Sequence, residues 1–435
     1  MAGTTNMAEA ARMTETEKAF LTILRDALHP GNDTDLGYDC ELDITDWADV
    51  LTTAKMQNLF PFIYDAATAY PSFSAFEEAH PECFPVVTAS MTAQMQKTDA
   101  FLSLYKSFLS AGLSPITMKG IICRELYGER ADFRPSGDED ILIEKKDYEK
   151  AVEILEACGY RKEADPDKEM AVIQEVTFHS EELTVELHLN PFGVDSTTRE
   201  KMNDWFRDVF RSKEIVKIKG VPVRTMTPTD HLLFLVFHAF KHFTGGGFGI
   251  RMMLDILLFA EKYGERIDWE YVDAGLADVG ATGFLADLVE IGDRYLGFTQ
   301  IQRYNSVCRL ETVCPDELLE DMFRRGTFGN SSNADRTAGR IVADTVQKGK
   351  SGKTGKNGSE SKLKSYFRLL FPSWKTWCAW RPYLKDRPWM VVCEWFWRIG
   401  RYIRGETSSS NMTDLDKSYK IAEERMILLG KYGVL

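Results

Sequence analysis

The chain has 435 residues, 44% of them hydrophobic and 12% aromatic, enough to bury a large core in roughly two or three domains. Its formal net charge of -13 excludes a surface coated in phosphate-binding cations, although a global sum conceals local asymmetry. Eight cysteines without a CxxC pair argue against a disulfide framework or a thiolate zinc site.

The opening MAGTTNMAEAARMTETEK carries no apolar leader. The longest apolar run, Leu232–Phe237, is far shorter than the ~20 residues of a membrane span. The expected setting is the cytoplasm.

In chain order, apolar residues recur at three and four in EKAFLTILRDAL, DWADVLTTAKMQNLFPFIYDAA and VVTASMTAQMQKTDAFLSLYKSFLSAGL, predicting a helical region over 1–112. The period changes at Leu113. SPITM reads as a short strand, GIICRELYG as a turn or two of helix, DEDILIE as a strand, and KDYEKAVEILEACGY as an amphipathic helix stopped at Gly159. VIQEVTFHS and ELTVELHLN follow as strands, and EIVKIKGVPVRTM as a hairpin around Lys219-Gly220, closing an α/β core over 113–226. A helix in TPTDHLLFLVFHAFKHF, capped by Thr227 or Thr229 with Pro228 in its first turn, opens a second helical domain over 227–347. KGKSGKTGKNGSESK lies in a linker over 348–364, and a basic aromatic helical segment fills 365–435. The fold class is α+β: a small mixed sheet flanked by N-terminal and C-terminal helical regions.

The chemistry concentrates in RPSGDED, residues 134–140. Strand alternation puts Asp138, Asp140 and Leu142 on one face and Glu139, Ile141 and Ile143 on the other. The same period in LTVELHL buries Leu183, Val185, Leu187 and Leu189 and groups Thr184, Glu186 and His188 opposite. Three carboxylates brought together repel strongly unless a cation or much water offsets them, and hard oxygen ligands select Mg²⁺ or Mn²⁺. Upstream, Lys119-Gly120 joins a strand to a helix, where backbone N–H groups and a lysine suit a phosphate; Arg134, Ser136 and Gly137 precede the aspartates.

This order of strand, Lys-Gly turn, helix and R-x-S-x-D-x-D resembles the polymerase-β-type nucleotidyltransferase superfamily. It is most similar to the bacterial branch of uncharacterised nucleotidyltransferases, and more distantly to the abortive-infection nucleotidyltransferase toxins. MKG (118–120), RPSGDEDILIE (134–144), ILEACGY (154–160), VELHLNP (185–191) and TPTDHLLFLVFHAFKH (227–242) leading into LDILLF (254–259) carry the resemblance. The superfamily's Gly-Ser pair at the first strand-helix turn is here Lys119-Gly120, followed by Ile121. The resemblance implies that Asp138 and Asp140 coordinate Mg²⁺, that Glu186 completes a two-metal site, and that Lys119, Arg134 and Ser136 contact the phosphates of a nucleoside triphosphate. A nucleoside monophosphate then passes to an unidentified hydroxyl acceptor. Two alternatives stay open: a degenerate nucleotide-binding module, and a glycosyltransferase using Asp-x-Asp to hold a metal and a diphosphate.

Further signals are weaker. His238 and His242 share a helical face, and that helix is expected to cover the site, with Lys241 or His242 reaching a phosphate. Asp255 is expected to be a buried carboxylate paired with Arg251 at i-4, and TGGGFG (244–249) a flexible connection between helices. Finally, 362–404 holds ten basic residues against two acidic ones and six of the nine tryptophans. That segment is expected to fold back and bury most of them, leaving at most weak, salt-sensitive contact with anionic surfaces.

Overall fold

The computed structural model describes residues 13–30, 42–163, 175–193, 197–212, 214–301, 311–326, 338, 342, 384, 387–403 and 412–434. Five helices open the chain: α1 Glu15–Leu28, α2 Ile44–Met56, α3 Phe60–Ala67, α4 Phe73–Ala79 and the 28-residue α5 Cys83–Ser110. The first two start where a capping box forms, Thr14 with Glu17 and Asp43 with Asp46, each pair satisfying amides that the helix itself leaves orphaned.

A five-stranded sheet follows, built from β1 Ile116–Thr117, β2 Asp138–Leu142, β3 Arg161–Lys162, β4 Glu175–His179 and β5 Thr184–His188, in the order β1-β2-β5-β4-β3. Only β2 and β5 run parallel. Between β1 and β2 lie the short α6 Ile121–Arg124 and a 3-10 stretch, Glu125–Phe133; α7 Tyr148–Ala157 leads to β3. The two-residue β3 is too short to leave a periodic signal in the sequence. After α8 Thr197–Asp204 comes the hairpin of β6 Ile215–Ile218 and β7 Val221–Arg224. Its turn residues Lys219 and Gly220 both have positive φ, the geometry a two-residue hairpin needs.

The remaining helices are α9 Pro228–Gly245, α10 Ile250–Tyr263, α11 Trp269–Val279, α12 Thr282–Leu296, α13 Pro315–Arg325, α14 Val391–Ile403 and α15 Met412–Lys431. Thr227 caps α9 by accepting from the Asp230 amide, with Pro228 at its first position. His231 at the start of α9 contacts the Thr225 hydroxyl at 3.1 Å, and that hydroxyl donates to Thr117 O of β1, tying helix to sheet.

The sheet divides the core. On one face Ile141, Ile143, Val185 and Leu187 pack with apolar residues of α5 and α7. On the other, Leu142 joins a large cluster that runs continuously from α1 to α4 through α9, α10 and α12 to α15. The strand alternation expected for β2 and β5 is therefore present, with Asp138, Asp140 and Glu186 turned towards the α9 side and Glu139 away from it. α15 is fastened there by Arg425, which donates to Asp321 at 2.6 Å and to Phe243 O near the end of α9.

The 348–364 linker lies outside the described residues, as do Trp374, Trp377 and Trp380. Burial of the aromatic segment does not hold for two of the tryptophans that are described: Trp389 is 68% exposed and Trp397 48%. Among the described residues, the apolar cluster around α14 consists of Leu384, Met390, Val391 and Trp395. Among the described residues, no helix is long and apolar enough to cross a membrane.

Candidate functional site

Parallel pairing of β2 with β5 sets Asp140 directly opposite Glu186. His188, two residues further along β5, lies between their carboxylates: its Nε2 is 3.0 Å from Asp140 Oδ1 and 3.4 Å from Glu186 Oε2. Burial by itself lowers the affinity of His188 for a proton, but hydrogen bonds to Asp140 and Glu186 outweigh it and carry the imidazole up to about 9. Asp140 is buried, yet Lys119 and His188 hold its carboxyl below the ordinary range. Glu186 goes the other way: the His188 hydrogen bond lowers it, while burial and the neighbouring Asp140 and Asp138 carboxylates raise it above the usual value.

Lys119 follows β1, and its place is fixed by the Met118 amide donating to Asp140 O. Its Nζ is 3.1 Å from Asp140 Oδ2 and 3.9 Å from Asp138 Oδ1. Gly120 has φ 58°, and a Cβ there would overlap the Glu139 carboxylate from the opposite face of β2. That carboxylate accepts from the Ile121 amide at 2.8 Å and from Arg124 at 2.7 Å. The amide expected to greet a phosphate at the start of α6 is thus occupied by Glu139. A four-residue helix with its first N–H already satisfied has little dipole to offer.

The segment ahead of the aspartates is held from within. Arg134 donates to both oxygens of Asp255 on α10, at 2.8 and 2.5 Å, and Tyr127 donates to the same carboxylate. Asp255 is therefore paired with Arg134 rather than with Arg251, whose guanidinium donates to Pro135 O. Arg134 contributes to the wall of the cavity with its charge already matched, so the expectation of a phosphate ligand there meets a strong competitor. Ser136 gives its amide and its hydroxyl to Gln94 Oε1 on α5, and Lys97 donates to Ser136 O at 2.7 Å. Gln94 and Lys97 are contributors that pattern reading missed, because on α5 they look like ordinary polar positions of a long helix.

Across the cleft stands α9. His238 and His242 lie one turn apart with ring centroids 4.7 Å from each other, and both line the same cavity as Lys241 and Asp140. Burial first, then the nearby ammonium groups, hold both imidazoles below their usual range, His242 down to about 3. Lys241 is lowered too, by burial and by Lys119 and Arg199. The cavity, about 330 Å³, thus has an acidic wall on the sheet and a basic wall on α9. The residues named from the sequence as metal or phosphate ligands line it: Lys119, Gly120, Arg134, Ser136, Gly137, Asp138, Asp140, Glu186, Lys241 and His242.

The donor set fits a divalent cation. Asp140, Glu186 and His188 each offer one ligand atom, all within 4.8 Å of one another, and among the described residues Asp140 Oδ2 is buried with only the Lys119 ammonium against it and no well-aligned hydrogen bond. Asp138, more exposed, stands at the rim beyond Lys119. Carboxylate oxygens suit Mg²⁺ and Mn²⁺ alike, and the imidazole favours Mn²⁺.

Compared with known proteins, residues 43–297 match the model of a family described as uncharacterised nucleotidyltransferase. No curated protein and no solved structure matches the chain.

Proposed function

The chain belongs to the uncharacterised nucleotidyltransferase family, and from that premise we propose that it is a metal-dependent enzyme of the polymerase-β type that moves a nucleoside monophosphate from a triphosphate to a hydroxyl acceptor. The observation that carries the reading is the pairing of Asp140 with Glu186 in one cavity whose opposite wall carries Lys241 and two imidazoles. A metal–triphosphate complex has the same polarity: a cation at one end, and anionic oxygens that need lysine and imidazole at the other.

In this reading Asp138, Asp140 and Glu186 hold Mg²⁺ or Mn²⁺. When bound, the cation neutralises the oxygens of the reacting phosphate and of the departing pyrophosphate. Lys241 and His242 bind the triphosphate from α9, and Lys119 binds it from the sheet. The acceptor oxygen attacks the α-phosphorus as the bond to pyrophosphate breaks, and Glu186 takes up the hydroxyl proton. His188 positions the Asp140 and Glu186 carboxylates through the contacts it makes with both.

A second reading, a nucleotide-binding module without transfer, draws support from Arg134 and Ser136: Nε and Nη2 of the one donate to Asp255, and the hydroxyl of the other donates to Gln94. One experiment separates the two. Purified protein is incubated with each α-labelled nucleoside triphosphate, Mg²⁺ or Mn²⁺, and a cell lysate as acceptor source. Label carried onto a macromolecule or metabolite supports transfer; tight metal-dependent nucleotide binding with no label moved supports the module.

A further inference from the structure

Lys119 stands where a cation would. Its Nζ lies between Asp140 Oδ2, at 3.1 Å, and Asp138 Oδ1, at 3.9 Å, and no other cation contacts this buried oxygen among the described residues. The backbone cannot carry it away, because the Met118 amide is bonded to Asp140 O. Only the flexible side chain can swing, and across the cavity it meets the Lys241 ammonium, which repels it, beside the imidazoles of His238 and His242, which offer no countercharge.

We infer that Lys119 is an internal counter-ion that bars the free divalent cation from the aspartates and yields only to a cation arriving with nucleotide. This rests on the function proposed above and adds the order of binding to it. An ammonium and a dication cannot both sit between Asp138 and Asp140, since like charges at such separation repel strongly away from bulk water. A free ion must therefore expel Lys119 towards Lys241, with no anionic group on α9 to receive it. A cation that comes with a triphosphate brings the phosphate oxygens to which the expelled ammonium can turn, and the same oxygens neutralise Lys241. Cation and nucleotide consequently help each other bind, by the same factor in both directions.

The test is titration of the full chain with Mn²⁺, read by the electron paramagnetic resonance of the free ion, with and without a triphosphate analogue carrying a methylene in the α,β-bridge. Wild type is expected to bind free Mn²⁺ weakly and to bind it about tenfold tighter or more with the analogue present, a factor of ten being about 1.4 kcal/mol. Lys119→Met is expected to bind free Mn²⁺ about tenfold tighter than wild type, with little further gain from the analogue. Lys119→Arg, which keeps the charge, is expected to behave as wild type. Lys119→Gln takes its place if the methionine variant does not fold, and the Mn²⁺ bound by the analogue without protein is subtracted in every titration. An Mn²⁺ affinity that the analogue leaves unchanged, or a folded Lys119→Met no tighter for the free ion, overturns the inference while the proposed function stands. Absence of Mn²⁺ binding in wild type even with the analogue overturns both.

Discussion

Glu139 and Gly120 are locked together through the back of β2: the Glu139 carboxylate occupies the space where any side chain at position 120 would begin. The same carboxylate receives the Ile121 amide and the Arg124 guanidinium, so the turn that carries Lys119 is set by a buried ion pair on the face of the sheet away from the cavity.

Gly120→Ala is therefore expected to be costly. It adds a Cβ at a positive-φ position and displaces a buried, paired carboxylate, together about 3 kcal/mol of lost stability. Urea denaturation checks this; a loss under about 0.5 kcal/mol, the size of an ordinary surface change, would contradict the packing.

Arg134→Met should act on the fold before it acts on any ligand. It leaves Asp255 charged and unpaired beside Tyr127, at a cost of about 3–5 kcal/mol. The double variant Arg134→Met with Asp255→Leu is expected to recover much of that stability. A stable single variant that has lost nucleotide affinity would instead return Arg134 to the phosphates.

His231 makes stability depend on pH. Burial lowers its pKa from 6.5 to about 4, so between those values the unfolded chain binds a proton that the folded one refuses. Its contribution is complete above about pH 6.5 and falls away as pH drops towards 4, by about 3 kcal/mol in all. His231→Gln should flatten the stability curve in that window relative to wild type, measured by denaturation at a series of pH values; parallel curves would refute it.

Lys241→Ala is expected to weaken triphosphate binding about tenfold while leaving the melting temperature near that of wild type, since no salt bridge of Lys241 is present among the described residues. Isothermal titration with a triphosphate analogue measures the first and calorimetry the second. Unchanged affinity would take α9 out of the binding surface.

Much of this site was readable because strand alternation is a strict rule: once β2 and β5 are recognised, Asp138 and Asp140 must share a face, and Glu186 must share one with His188. Their juxtaposition depends on which strands pair, and the parallel register of β2 with β5 leaves no mark in a single sequence. The Arg134–Asp255 pair was equally hidden, its members lying 121 residues apart, while Arg251 stood at the helical spacing that local reasoning favours. Helix ends were legible where a chemical signal exists, as at Thr227 and Pro228. The exposed Trp389 and Trp397 were not, because aromatic content alone does not say whether a surface exists to receive the rings.

Asp140 contacts both Lys119 and His188 and pairs across the sheet with Glu186, so the decisive comparison is wild type with Asp140→Asn for transfer of α-labelled nucleotide in Mg²⁺ or Mn²⁺, with circular dichroism to confirm that both are folded. Wild type is predicted to label an acceptor and release pyrophosphate, and Asp140→Asn to do neither while keeping its fold. An Asp140→Asn protein that transfers label as fast as wild type would show that this carboxylate holds no catalytic cation.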